Sequence, residues 1–131
     1  MHRKGVLGML GKQALMAFVA TTDSARSRAF YEETLGLPLV SDEPFALVFN
    51  ANGTMFRVQK VAAFTPQPFT VLGWKVDDID TVAAALMRKR IACERFPGMV
   101  QDDHGVWSSP SGARVAWFKD PDGNLLSLTE F

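Results

Sequence analysis

The chain of 131 residues has one cysteine, two histidines and no surplus of charge, since fourteen Lys and Arg balance fourteen Asp and Glu. Each shortage excludes something. A lone Cys93 leaves no internal disulfide and no cysteine-rich zinc site, and it fits a reducing compartment, so a cytoplasmic protein is expected. Zero net charge removes the field that draws in nucleic acid or an anionic membrane, and neither is expected as a partner. No apolar run approaches the roughly 18 residues of a transmembrane helix. The opening "MHRKGVLGMLGKQALMAF" is broken by Lys12 and Gln13, and no small-residue cleavage motif follows, which points to a soluble chain.

What the chain does contain is apolar surface: 47% hydrophobic and 21% charged residues suit one globular domain, or two small halves sharing a core. After an arm at 1–13, "LMAFVAT" reads as a buried strand. The next stretch, "TTDSARSRAFYEETLGL", reads as a helix, with Asp23 or Ser24 as N-cap, Phe30, Tyr31 and Leu35 as apolar contacts, and Gly36 as the stop. Short β-rich segments between turn formers predict strands at 37–41, 45–50 and 54–60. The unit at 14–60 is therefore β-α-β-β-β.

A linker at 61–68 leads to a second unit at 69–131 in the same order. It holds a strand "TVLGWKV" and an Ala-rich helix capped near Asp78 or Asp80, with Val82, Leu86 and Met87 on its buried side. Then come "ACERF", a loop "PGMVQDDHG", strands "VWSS", "ARVAWFK" and "NLLSLTE", and the turns "PSG" and "DPDG" between them. The turns echo each other, "NANGT" at 50–54 against "DPDGN" at 120–124, each with a glycine that takes positive φ without steric cost. Both strand-to-helix junctions carry an aspartate, Asp23 and Asp78. The fold class expected is α+β, with two β-α-β-β-β modules whose curved mixed sheets surround a cavity.

Two such modules, "FY…LGL" at Phe30, Tyr31, Leu35, Gly36 and Leu37, "VDD" at Val76 to Asp78, and the terminal "DPDGN" together resemble the vicinal oxygen chelate superfamily. That superfamily includes glyoxalase I, bleomycin-resistance proteins, fosfomycin-resistance enzymes and extradiol dioxygenases. The resemblance covers nearly the whole chain and implies a cavity between modules, with two chains often paired as a dimer.

The resemblance also implies where a metal would be held: His, Gln or Glu on the first and last strand of each module. Counted from the junction aspartates and the turn glycines, those positions are Met16, Arg57, Val71 and Ser127. A thioether, a guanidinium, an isopropyl group and a neutral hydroxyl do not suit a hard or borderline divalent cation. Same-face neighbours two residues away (Phe18, Met55, Gln59, Gly73, Leu125 and Thr129) supply no better set. No metal and no other cofactor is expected.

Strand alternation predicts a ligand surface of Met16, Phe18, Met55, Arg57, Val71, Lys75, Ser127 and Thr129, joined by Ala20, Gly73 and Leu125. Val19, Phe56, Trp74, Leu126 and Leu128 would pack under the helices. Arg57 is the sharpest candidate, either for an anionic ligand group or for a salt bridge within the protein. His104 on its loop, Glu33 on its helix and Glu94 on an edge strand read more readily as solvated groups than as acid–base catalysts, and Trp107, Trp117 and Phe118 as packing more readily than ligand stacking. The function expected is a metal-free small-molecule-binding protein of the bleomycin-resistance type, taking an aromatic or anionic ligand and pairing as a homodimer. A metal-independent lyase or isomerase, or a metal-dependent glyoxalase or dioxygenase with displaced ligands, are the alternatives.

Overall fold

A computed structural model describes residues 8–131; the first seven residues of the expected arm, His2 among them, lie outside the described residues. The first module runs β1 (Met16–Thr21), α1 (Ser24–Arg28), β2 (Leu39–Asp42), β3 (Ala46–Ala51) and β4 (Thr54–Lys60). The second runs β5 (Thr70–Lys75), α2 (Ile79–Arg88), β6 (Trp107–Ser108), β7 (Arg114–Lys119) and β8 (Leu125–Glu130). Each module forms a mixed four-stranded sheet, in the orders β1-β4-β3-β2 and β5-β8-β7-β6. The first and last strands of each module pair in parallel, and the hairpins supply the antiparallel pairs.

Both helices begin on the junction aspartates. Asp23 accepts from Arg26 N at 3.1 Å and Asp78 from Thr81 N at 3.2 Å, each satisfying an amide that a helix start leaves unpaired. After α1 the helix widens into a π turn, Ala29–Thr34, closed by Leu35 N donating to Phe30 O at 2.9 Å. The wider turn buries the consecutive rings of Phe30 and Tyr31, and Gly36 at φ +78° then ends the helix.

The inner faces of both sheets meet these helices in one apolar cluster. Tyr31, Leu47, Phe49, Phe56 and Val58 fill the first half, and Ile79, Ala83, Leu86, Phe118, Leu126 and Leu128 the second. Trp74 packs partly buried against the cluster and stacks on Phe118. Two readings of the second half change. Met87 is exposed, because the buried stripe of α2 follows the helical spacing Ile79, Ala83, Leu86. Glu94 lies outside any strand, and Gln101 organises its surroundings by hydrogen bonding Glu94 O, Gly105 O and Phe96 N.

The two sheets approach along β1 and β5, and the "DPDGN" turn fastens them. Asp122 accepts from Thr21 Oγ1 at 2.6 Å and from Thr22 N and Thr22 Oγ1 at 3.0 Å each. Asn124 Nδ2 donates to Ala20 O at 2.9 Å. Tyr31 donates its hydroxyl to Asp120 at 2.7 Å, and that carboxylate also accepts from the Asn124 side chain. The "NANGT" turn is tighter, with Asn52 and Gly53 both at positive φ as a type I′ hairpin requires, and Gly53 N bonds back to Asn50 Oδ1. On the helix side, Lys89 Nζ reaches Thr34 O at 2.7 Å.

Candidate functional site

The sheet faces turned away from the helices form the candidate site. Alternation sorts the side chains: Val19, Phe56 and Val58 go to the core, while Met16, Phe18 and Met55 remain open to solvent. Met16 lies opposite Met55 and Phe18 opposite Arg57 in the β1–β4 register. The first-module half of the face is thus thioethers and a phenyl ring around one guanidinium.

Arg57 has a protein partner, with Nη2 3.6 Å from Glu43 Oε1. The contact is longer than a bidentate fork and both side chains keep contact with water, so solvent weakens it. Lys60 and Lys119 pair likewise with Asp42 and Glu94.

Along the seam a cleft of about 330 Å³ brings Phe18, Ala20, Gln59 and Val71 together with linker residues Phe64 to Gln67. Phe18 and Val71 therefore line one cleft from different modules. Met55 borders a separate cleft of about 210 Å³ with Val40 and Val48. Lys75 borders a third, about 190 Å³, on the helix side, where Leu35, Leu37, Trp74 and Leu86 leave a gap between modules. Within one chain the eight expected ligand residues are spread along an open face, not gathered in one closed chamber.

The second-module half has a different composition. Ser127 lies in register between Gly73 on β5 and Trp117 on β7, and Thr129 between Lys75 and Val115. Ser127 and Leu125 are buried although they point away from the helices. The cause is Trp117, whose Nε1 donates to Thr70 Oγ1 at 3.1 Å. Since β8 lies between β7 and β5, the indole must cross β8 to make that bond, and it covers both residues. Phe96 meets Trp117 edge-on at 5.3 Å and Trp107 lies 6.2 Å away, so three aromatic rings line this half. Phe118, by contrast, is a core ring. Sequence alternation put Trp117 on a strand; its position over Ser127 follows from the order of strands, which no local pattern carries.

His104 sits on the loop after Asp102, whose carboxylate is occupied by His104 N and Val106 N, both at 2.9 Å. Asp80 forms a fork with Arg114 at 2.8 and 2.9 Å, and hydrogen bonds from that guanidinium hold its carboxyl below the usual range. Burial pushes the Cys93 thiol up, away from nucleophilic use.

The donor set does not fit a divalent cation. Met16, Arg57, Val71 and Ser127 offer one soft thioether and one neutral hydroxyl beside a fixed positive charge already shared with Glu43. Among the described residues no group of three or more His, Cys, Asp or Glu is placed to hold a metal ion.

Comparison with known proteins agrees with this architecture. Residues 13–128 match the model of the Glyoxalase/Bleomycin resistance protein/Dioxygenase superfamily. The uncharacterized protein YraH of Bacillus subtilis (strain 168) is 32% identical over 121 residues, covering 81% of this chain and 88% of that one. A lactoylglutathione lyase from Agrobacterium tumefaciens superposes with a TM-score of 0.70 at 20% identity, over 90% of this chain and 93% of that chain. The fosfomycin resistance protein FosX from Listeria monocytogenes gives 0.71 at 11% identity, over 92% and 93%. At such identities the two structures speak for the fold alone. With its paired β-α-β-β-β modules and a family match spanning nearly its whole length, the chain belongs to the glyoxalase/bleomycin resistance/dioxygenase superfamily.

Proposed function

We propose that this protein is a small-molecule-binding member of its family that works without a metal centre and holds an aromatic or anionic ligand against the open sheet face. The observation that carries the reading is the substitution of all four expected ligand positions by Met16, Arg57, Val71 and Ser127. An apolar surface with sparse polar groups is what a small-molecule site requires, and this face combines Met16, Phe18, Met55 and Val71 with Arg57, Lys75 and Thr129. A catalytic reading has less support, because Oδ1 of Asp102 beside His104 accepts from two backbone amides, its Oδ2 lies 3.6 Å from Arg114, and among the described residues no matched acid–base pair faces the clefts.

A second copy of the chain is the proposed macromolecular partner. Met16, Phe18 and Met55 are 44–47% exposed, an unusual density of open apolar groups on one sheet face, and a partner covering it would turn the open face into a chamber. The lone thiol supports a cytoplasmic setting, and among the described residues no helix is long and apolar enough to cross a membrane.

The test is metal analysis of the purified protein before and after incubation with Mn, Ni, Zn and Fe(II), followed by a thermal-shift screen of small carboxylates and aromatic acids. Stoichiometric tight metal overturns the reading. Hits that bind Arg57→Ala as well as the parent remove Arg57 from the site, and sedimentation distinguishes a dimer from a monomer.

A further inference from the structure

Trp117 is held in a way that packing alone does not require. Its indole N–H is bonded across a neighbouring strand to Thr70, so the side chain reaches along the sheet over β8. The bed beneath is made of small residues. Gly73 and Ser127 occupy the same cross-strand row as Trp117, and a methyl group on Gly73 would come within 2.5 Å of Ser127 Oγ. In its present rotamer the serine hydroxyl uses the space that a side chain at position 73 would take, which keeps this row of the sheet low beneath the indole. Phe96 and Trp107 buttress the ring.

One cation stands nearby without a protein acid. Lys75 follows Trp74, which packs against the core, so strand alternation assigns it to the face of Gly73, one row along and about 7 Å away, and at the end of β5 it also borders the helix-side cleft. Among the described residues it forms no ion pair, whereas Arg57, Lys60 and Lys119 each do.

We infer that Trp117 is the stacking platform for the planar ring of an aromatic carboxylate, with Lys75 pairing its anionic group. The inference rests on the reading of the open sheet face as the binding surface and narrows the ligand to a flat aromatic acid. An indole already tethered by Thr70 would stack on a ligand without losing rotamer freedom on binding, which favours planar over puckered rings.

The experiment compares 2-naphthoate with decalin-2-carboxylate, its saturated counterpart of similar size and charge, by isothermal titration of the full chain. The parent is expected to bind naphthoate at least tenfold more tightly than the decalin acid. Trp117→Leu should erase that preference, Trp117→Phe should restore part of it, and Lys75→Gln should weaken naphthoate severalfold without changing its preference in proportion. If Trp117→Leu fails to fold, Thr70→Val carries the test, because it frees the ring without removing it and should reduce the preference. Equal binding of the two acids by the parent, or a preference that survives loss of Trp117 or of its tether, overturns the platform. Either result leaves the binding face standing, provided the broader acid screen yields ligands. Binding of neither acid also overturns the platform, and the face falls with it only if that screen is blank.

Discussion

The Asp122 carboxylate and the Thr21 hydroxyl, 101 residues apart in the chain, meet at 2.6 Å at the end of the seam between the two sheets. The turn that carries Asp122 also supplies Asp120 and Asn124, so one short hairpin loop reaches both β1 and the helix that follows it.

Removing the Asp122 carboxylate is expected to destabilise the whole fold, not just the turn. Its side chain is 1% exposed and accepts from two hydroxyls and an amide. Asp122→Ala should cost about 2–3 kcal/mol, measured as a shift in urea midpoint, because the buried Thr21 hydroxyl loses a charged acceptor. A loss no larger than that of an exposed alanine substitution would show that the modules do not depend on this contact.

Acid should weaken the same contact. Burial acts to raise the Asp122 carboxyl, but hydrogen bonds from Thr21 and Thr22 outweigh it and hold the group below its ordinary value. A folded value below the unfolded one of about 3.9 means that the stabilisation is complete above that pH. It is lost as pH falls through the folded value. The gap in urea midpoint between parent and Asp122→Asn should be full at about pH 6 and narrower at about pH 3.

Tyr31→Phe removes the hydroxyl that Asp120 accepts while preserving the ring in the core. Burial, reinforced by the Asp120 charge, drives the phenol well above its ordinary range, so it remains a donor at every working pH. A cost of about 1–2 kcal/mol in thermal unfolding is expected. In a double-mutant cycle Tyr31→Phe and Asp120→Asn should be non-additive.

Gly105→Ala should be among the most damaging small substitutions. The residue has φ +84°, and a β-carbon there would sit 2.6 Å from Cys93 Cβ. Backbone strain and overlap together should exceed about 2 kcal/mol by chemical unfolding. Cys93→Ala keeps the offending β-carbon and should not rescue it. Gly112→Ala, at φ +95° with nothing within 4 Å, should cost only the backbone strain, about 1–2 kcal/mol.

Ser27→Ala is expected to be neutral or to stabilise by up to about 1 kcal/mol. The Ser27 hydroxyl is buried in α1 and, among the described residues, has no hydrogen-bond partner. Alanine removes that unmet group and is the better helix former. A clear loss in melting temperature would mean that a water fills the need.

Much of the fold was legible because it depends on periods and punctuation. Alternation separated Val19 and Phe56 from Met16, Phe18 and Met55, and the junction aspartates marked both helix starts. What escaped depends on distant partners. "DPDGN" read as turn chemistry, since nothing local announces that Asp122 faces Thr21. The burial of Ser127 was equally hidden, because it is imposed by a tryptophan tethered two strands away. The π turn escaped too, for its spacing differs from an ordinary helix by one residue, and Met87 was misplaced by the same margin.

The two glycine turns are alike in outline and unlike in duty. Only the later one bonds across the seam; among the described residues the hydrogen bond of Gly53 stays within its own hairpin. The sheets are therefore tied at the Thr21 end of β1, and among the described residues no such hydrogen bond ties the Met16 end. Random substitution should register that polarity: a library spread over both turns would find the earlier one sensitive where Asn52 and Gly53 need positive φ, and the later one costly also at Asp120, Asp122 and Asn124, although the duplicated pattern makes them look equivalent.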